Sequence, residues 1–228
     1  MKKLGIILTP DNRSKAYLQK LLNNKILLDE IIFMNDKRKE KFEIGEIDEA
    51  KKYNFDITKS VKNTLMEHKL NFKEFDFVDI NNVKLINYLE KSQNLFIIFT
   101  GGGILRKEVL RSGPKFIHLH PGLVEKYKGS TCFYYSILNE NNSGVTAFIM
   151  NEGLDTGDII LQKKFLKPDH KYLDNVYDPH IRSETLIEII KLNKLEDQFE
   201  KQKKSNNEVY YIIHPVLKHI AILNCAEN

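Results

Sequence analysis

Cysteine is scarce. The 228 residues hold two, Cys132 and Cys225, far apart and without CxxC or Cys/His ligand spacing, so neither a disulfide framework nor a zinc knot is indicated. Long apolar runs are missing as well: the longest, LGIILT and NLFIIFT, are strand-sized, against the roughly 20 residues a membrane span needs. The N-terminus MKKLGIILTPD starts basic, but its apolar run is too short for a signal-peptide core and no small-residue cleavage site follows. A cytoplasmic protein without a membrane partner is expected. Charge of one sign is not accumulated, since 35 Lys and Arg face 31 Asp and Glu for a formal +4. The dense basic pieces, NDKRKEKFE (35–43) and EKQKKSNN (200–207), are mixed with acids or amides and read as solvated surface, so no nucleic acid is expected. Phosphate loops are missing too: GGGI lacks a Gly-Lys-Ser/Thr ending, and no GxGxxG follows the first apolar run.

What is present is an alternation of short β-rich apolar runs with helical patterns, the signal for an α/β sheet. Strands are expected at 4–8, 26–34, 72–79, 95–99 and 115–120, then in GVTAFIM and DIILQKKF, with a late one at 208–214. Helices are expected at 13–24, 60–70, 83–91, from Ile104 to the Gly113-Pro114 stop, and at 181–192. The stretch 35–56 is part helix, part insertion, and DHKYLDNVYDPH reads as irregular. One core domain, 1–166, with a C-terminal extension, 167–228, packed on it is the economical division. Residues 210–223, apolar and late, read as a closing core segment or as the surface of a homodimer.

Two motifs carry chemistry. In FIHLHPG, His118 and His120 are alternate residues of a strand, so they share a face with Cα atoms roughly 6.5–7 Å apart. An HxH pair begins many metal sites, but further ligands would have to come from His170, His180, His214 or His219 in the polar tail. In LDTGD, Asp155 stands in an Asp-Thr-Gly triplet of the kind aspartic peptidases use in pairs within an all-β body. This chain has one copy and an α/β rhythm.

Taken together, the pieces give a third reading. His118-Leu119-His120-Pro121-Gly122-Leu123-Val124-Glu125-Lys126-Tyr127-Lys128-Gly129, then Gly144-Val145-Thr146, then Leu154-Asp155-Thr156-Gly157, resembles the formyltransferase family that uses 10-formyltetrahydrofolate. The family pattern is Asn-x-His-Pro-Ser-Leu-Leu-Pro-x-aromatic-Arg-Gly, Gly-Val-Thr and Leu-Asp-x-Gly, and the match runs without gaps from about Gly102 through Ile160. The resemblance implies a Rossmann-like α/β fold, a mostly parallel sheet flanked by helices, with a short C-terminal extension. It implies a catalytic trio of His118, His120 and Asp155, with His118 where the family has an amide. His120 would stabilise the oxyanion and help move the proton, Asp155 would orient His120 and take up a proton, and His118 would supply a second donor. It further implies a folate site on Gly103, Ile104, Leu105 and Leu110, closed by Asn151, Glu152, Gly153 and Leu154, with 10-formyltetrahydrofolate as donor and no metal.

Three smaller departures, Gly122 for serine, Glu125 for proline and Lys128 for arginine, are expected to loosen the loop after the strand. The acceptor the resemblance implies is a small amine. Relatives acting on initiator transfer RNA add a C-terminal β-barrel, and the purine-pathway relative has a phosphate loop where this chain has LTPDNRSK. Enzymes that formylate nucleotide-linked amino sugars are the most similar group, with YDPHIRSETL resembling their Arg-x-x-Thr helix start. Tyr172, Tyr177 and Arg182 are the candidate substrate-holding residues. Hydrolysis of formylfolate, a metal-dependent hydrolase built on the HxH pair, and a non-catalytic binding module remain as alternatives.

Overall fold

A computed structural model describes residues 3–35, 41–101, 103–203 and 209–226. Most of the basic stretch at 35–43, Gly102, and residues 204–208 with Glu208 of the expected late strand lie outside the described residues. Two compact units divide the chain, Met1–His118 and Leu119–Asn228. The border expected after Leu166 falls inside the second unit.

The first unit is built on parallel strands. β1 (Leu4–Leu8), β2 (Glu30–Met34), β3 (Lys73–Phe75), β4 (Phe96–Phe99) and the start of β5 (Lys115–His120) run in the order β3-β2-β1-β4-β5, every neighbour parallel. Strands covered on both faces need apolar residues at every position, which is why β1 and β4 read as unbroken apolar runs and are buried throughout. The connections are α1 (Asn12–Asn23), α2 (Ile44–Lys52), α3 (Val61–Glu67), α4 (Val83–Leu89) and α5 (Lys107–Leu110). Asp11 caps α1 by accepting from Ser14 N at 2.8 Å, and Tyr17, Leu18 and Leu21 form its buried face. The strand order reverses between β1 and β4, where a parallel α/β sheet opens its ligand crevice. Hydroxyls clip those two strand ends: Thr9 N donates to Ser14 Oγ (2.9 Å), Ser14 Oγ lies 2.5 Å from Thr100 Oγ1, and Thr100 Oγ1 donates to Ile7 O (2.9 Å).

Two expectations in this unit are corrected. β2 begins at Glu30, not Ile26, because Lys25 turns the chain with φ 57°, Leu27 is exposed, and Asp29 spends its carboxylate on Leu4 N (2.8 Å). The helix expected from Ile104 is a single turn. Asn81 holds the preceding segment extended, donating to Ile104 O (3.0 Å) and accepting from Arg106 N (2.8 Å).

In the second unit β7 (Asn142–Ile149) and β8 (Ile159–Leu166) form an antiparallel pair with a bulge between Ala147 and Phe148. A two-residue strand β6 (Lys128–Gly129) pairs in parallel with β9 (Val209–Tyr210). α6 (Cys132–Glu140) and α7 (Asp178–Lys191) pack on β7, α7 also on β8, and α8 (Pro215–Ala226) on α6. The segment expected to be irregular is instead helical: a π-helical turn, Leu173–Tyr177, runs into α7, which starts at Asp178 with Pro179 in its first turn, where a missing N–H costs nothing. The late strand shrinks to Val209–Tyr210, and 215–226 is helix. Val216, Ile220 and Leu223 recur on the exposed side of α8, while Ala221 and Cys225 face inward. No helix of the described residues is long and apolar enough to cross a membrane.

Candidate active site

His120, the last residue of β5, is 2 % exposed, and both of its ring nitrogens face acceptors. Nε2 lies 2.9 Å from the carbonyl oxygen of Tyr127, so Nε2 carries the hydrogen and donates it. Nδ1 lies 3.5 Å from Asp155 Oδ2. Burial pushes the imidazole below the ordinary histidine value, against the charge of Asp155 and the Tyr127 hydrogen bond, which favour the charged ring. A neutral ring in this tautomer presents its Nδ1 lone pair to the carboxylate, and a proton arriving there is held by Asp155. The arrangement is suited to taking up a proton. Donation from Nε2 to a substrate oxygen, the role expected of His120, requires that the hydrogen leave Tyr127 O first.

Asp155 sits in the β7–β8 connection with φ 49° and also accepts from Gly129 N (2.8 Å). Gly157 fixes the turn, because a Cβ there would lie 1.5 Å from Ile149 O. Gly129 is pinned from its other side by β9: a Cβ on it would meet Tyr210 O at 2.1 Å, and Ser130 N donates to that oxygen (2.8 Å). The Gly-Val-Thr motif has a mechanical reading too. Thr146 Oγ1 donates to Gly122 O (2.7 Å) and accepts from Val124 N (3.1 Å), while Gly144 leaves room for Leu123, which a Cβ would meet at 2.7 Å.

Gly122 corrects an expectation. Glycine there does not loosen the loop: a Cβ would lie 2.9 Å from His120 Nε2, 2.8 Å from Tyr127 O and 2.9 Å from the Cβ of Cys132. Its absence is what admits the inward position of His120. Glu125, at φ 80°, accepts from Lys203 N (3.1 Å), which ties down the same loop. Cys132 is buried, and its thiol is pushed up to about 12, first by burial and then by the charge of Asp155, so it is no nucleophile near neutrality.

A family model described as formyl transferase matches residues 24–180, more than half of the chain. The chain belongs to the formyl transferase family. Methionyl-tRNA formyltransferases are among its curated relatives: that of Finegoldia magna is 27% identical over 66% of this chain and 49% of its own length, and that of Clostridium tetani is 34% identical over 55% and 42%. The chain thus spans about half the length of these relatives. Among solved structures, a sugar N-formyltransferase from a Shewanella species superposes with a TM-score of 0.59 at 17% identity, covering 97% of this chain and 87% of the other. The N-formyltransferase from Helicobacter canadensis, solved with folinic acid and dTDP-3-aminofucose, gives 0.59 at 20% identity over 92% and 71%. Glycinamide ribonucleotide transformylase 1 from Symbiobacterium toebii gives 0.60 at 14% over 89% and 95%. At these identities the likeness establishes the fold: α/β, mostly parallel strands, as the sequence pattern implied.

Of the formyl transferase trio expected from the motifs, His120 and Asp155 are brought together; His118 is half-buried on β5, in the first unit. In that unit Gly103 (φ 104°) and Ile104 are exposed, Leu110 is half-buried, and Leu105 is buried in the core. Asn151, Glu152, Gly153 and Leu154 are all exposed in the second unit. Asn151 Oδ1 shapes their loop by accepting from Gly153 N (2.9 Å) and Thr156 Oγ1 (2.8 Å).

Two of the three candidate substrate-holding residues are buried. Tyr177 is buried and donates to Leu166 O (2.5 Å); Arg182 is buried and donates to Asp178 and to Leu119 O. Tyr177 ends the π-helical turn and Arg182 lies on α7, and both side chains point inward. Tyr172 is partly exposed, with its ring beside that of His170. Among the described residues no three His, Cys, Asp or Glu gather as a metal set, so the HxH pair does not acquire the further ligands its metal reading needs. The partners of the pair that sequence reasoning missed act through the backbone, Tyr127 by its carbonyl and Gly129 by its N–H. Backbone partners leave no side-chain signature.

Proposed function

We propose that this chain transfers a formyl group from 10-formyltetrahydrofolate to a small amine, the amino group of a nucleotide-linked amino sugar in the specific form. The observation that carries the proposal is the buried His120–Asp155 pair, poised to accept a proton at the end of β5. Bound 10-formyltetrahydrofolate would supply the formyl carbon. An attacking amine must lose a proton as its bond to that carbon forms, and the folate nitrogen must gain one as it leaves. His120 Nδ1 takes up the first, Asp155 holds it against the ring, and the same pair returns it. Exposed Leu154 is the side chain of the second unit that we assign to the donor's ring system. His118 is kept as the second hydrogen-bond donor, and Tyr172 as the acceptor-side contact.

The sugar reading is supported by superposition along nearly the whole chain on sugar N-formyltransferases. The curated relatives favour a second acceptor, the amino group of methionyl-tRNA. Incubating the protein with 10-formyltetrahydrofolate and, in separate reactions, a dTDP-linked amino sugar, methionyl-tRNA or water alone discriminates among them, with the formylated product read by mass spectrometry. Sugar formamide is expected. Formylated methionyl-tRNA would move the reading to the second acceptor, formate released without amine would make the protein a hydrolase, and no turnover or folate binding in any reaction would sink the proposal. A homodimer, if formed, would use the exposed apolar side of α8, and light scattering tests it.

A further inference from the structure

We propose that Arg182, braced by Asp178, is a positioning residue for the His120–Asp155 pair, an inference that rests on the formyl-transfer reading of that pair. Arg182 is 6 % exposed on α7. Its Nε donates to Asp178 Oδ1 at 2.7 Å, one helical turn back, and its Nη1 donates to Leu119 O at 2.6 Å. Leu119 O belongs to the peptide linking Leu119 to His120, so the guanidinium grips the backbone that carries the imidazole.

The grip has a cost that core packing does not demand. Burying two ionised groups is expensive, and an apolar pair of like volume commonly serves stability as well or better. What the ionic pair adds is direction: a guanidinium fork presents donors in one fixed plane, here one to a carboxylate and one to a carbonyl. It also adds charge near the ring. Arg182 disfavours and Asp178 favours the protonated imidazole, so the two act in opposite directions at His120. Asp155 from the β7–β8 connection also faces the ring, Tyr127 meets it through its backbone carbonyl, and Cys132 of α6 feels the charges of Asp155 and Arg182.

Opposed charges give a test that a merely structural pair would not pass. The NMR titration of His120, assigned by its loss in His120→Gln, is followed in the full chain for Arg182→Met, Asp178→Asn, Arg182→Lys and the double change Asp178→Asn/Arg182→Met. Arg182→Met should raise the midpoint of the ring and Asp178→Asn should lower it. Arg182→Lys and the double variant, which preserve the charge balance, should return it close to the wild type. With the sugar acceptor, all four should lose about 10- to 100-fold in kcat with KM little changed, because the hold on Leu119 O is gone or weakened. Midpoints that stay put, or that move the same way in both single variants, would overturn the proposal. So would kcat losses that track only the melting temperature. Should the single variants fail to fold, the double variant, which leaves no uncompensated buried charge, carries the test: wild-type kcat in it would overturn the brace. The titration needs no substrate, so opposite shifts in a protein that transfers no formyl group would uphold the brace and sink the function instead.

Discussion

The ends of the strands in the two units are held by different chemistry. Where β1 and β4 end, the holding groups are the buried hydroxyls of Thr9, Ser14 and Thr100, uncharged near neutrality and partnered with one another, with Ile7 O and with the Asp11 carboxylate. Where β5 ends, they are ionisable: His120 against Asp155, and Arg182 against Asp178. Neutral hydroxyls tie chain to chain at little desolvation cost, whereas buried ions cost stability and repay it only when their protons or their direction are used. The contrast assigns scaffold to one place and chemistry to the other.

The sharpest way to break it is Asp155→Asn. Asparagine tolerates the left-handed backbone that Asp155 adopts and still offers an oxygen to Gly129 N, so the fold should survive. Only the ability to hold a proton against His120 Nδ1 is lost. Formyl transfer should fall by about 10²–10⁴-fold with the melting temperature nearly unchanged, a split read from steady-state kinetics beside a thermal melt. Equal activity in the variant would mean that His120–Asp155 is an internal clip and not the proton carrier. The wild-type pH profile sharpens the same point. Burial lowers the titration of His120, so the ring stays neutral through neutrality, and activity should fall only as pH drops below the ordinary histidine value of about 6.5. Stability shares the sign. Below about 6.5 an unfolded chain binds a proton at this histidine that the folded chain refuses, so His120's contribution is present above that pH and lost as pH falls through the lowered folded value.

Gly122→Ser is the next largest. It restores the residue the family pattern has, yet its Cβ would be driven to 2.9 Å from His120 Nε2. The ring must shift from Tyr127 O, or the loop must move. We expect a loss of about 1–3 kcal/mol from overpacking and a smaller fall in kcat than Asp155→Asn gives. A rise in kcat would instead show that the inward ring is a resting position from which serine releases it.

These sites were unevenly legible. β1 and β4 declared themselves because strands buried on both faces must be apolar at every position. The pairing of His120 with Asp155 was implied by the family resemblance of the two motifs, and the β7–β8 connection is what carries Asp155 to within 3.5 Å of the ring. The burial of Arg182 and Tyr177 was not legible, because a polar letter in the sequence does not say that its side chain turns inward to a carbonyl. α8 was missed because Val216, Leu217, Ile220 and Leu223 form a run as apolar as a strand; the period that marks it as helix shows only in which side chains are buried. The helical start of α7 was hidden by Pro179, which reads as a breaker and here serves as a first-turn residue.

The smallest expected effect tests the scaffold side. Ser14→Ala removes a fully buried hydroxyl that accepts from Thr9 N and meets Thr100 Oγ1, leaving one backbone donor without that partner. A loss of about 1–3 kcal/mol follows from an unmade buried hydrogen bond, read as a lower denaturant midpoint at unchanged slope. Because no proton is exchanged there, kcat and its pH profile should stay where they are. A displaced profile in this variant would show that the hydroxyl clip and the ionisable pair act as one device, and the division between scaffold and chemistry would fail at that point.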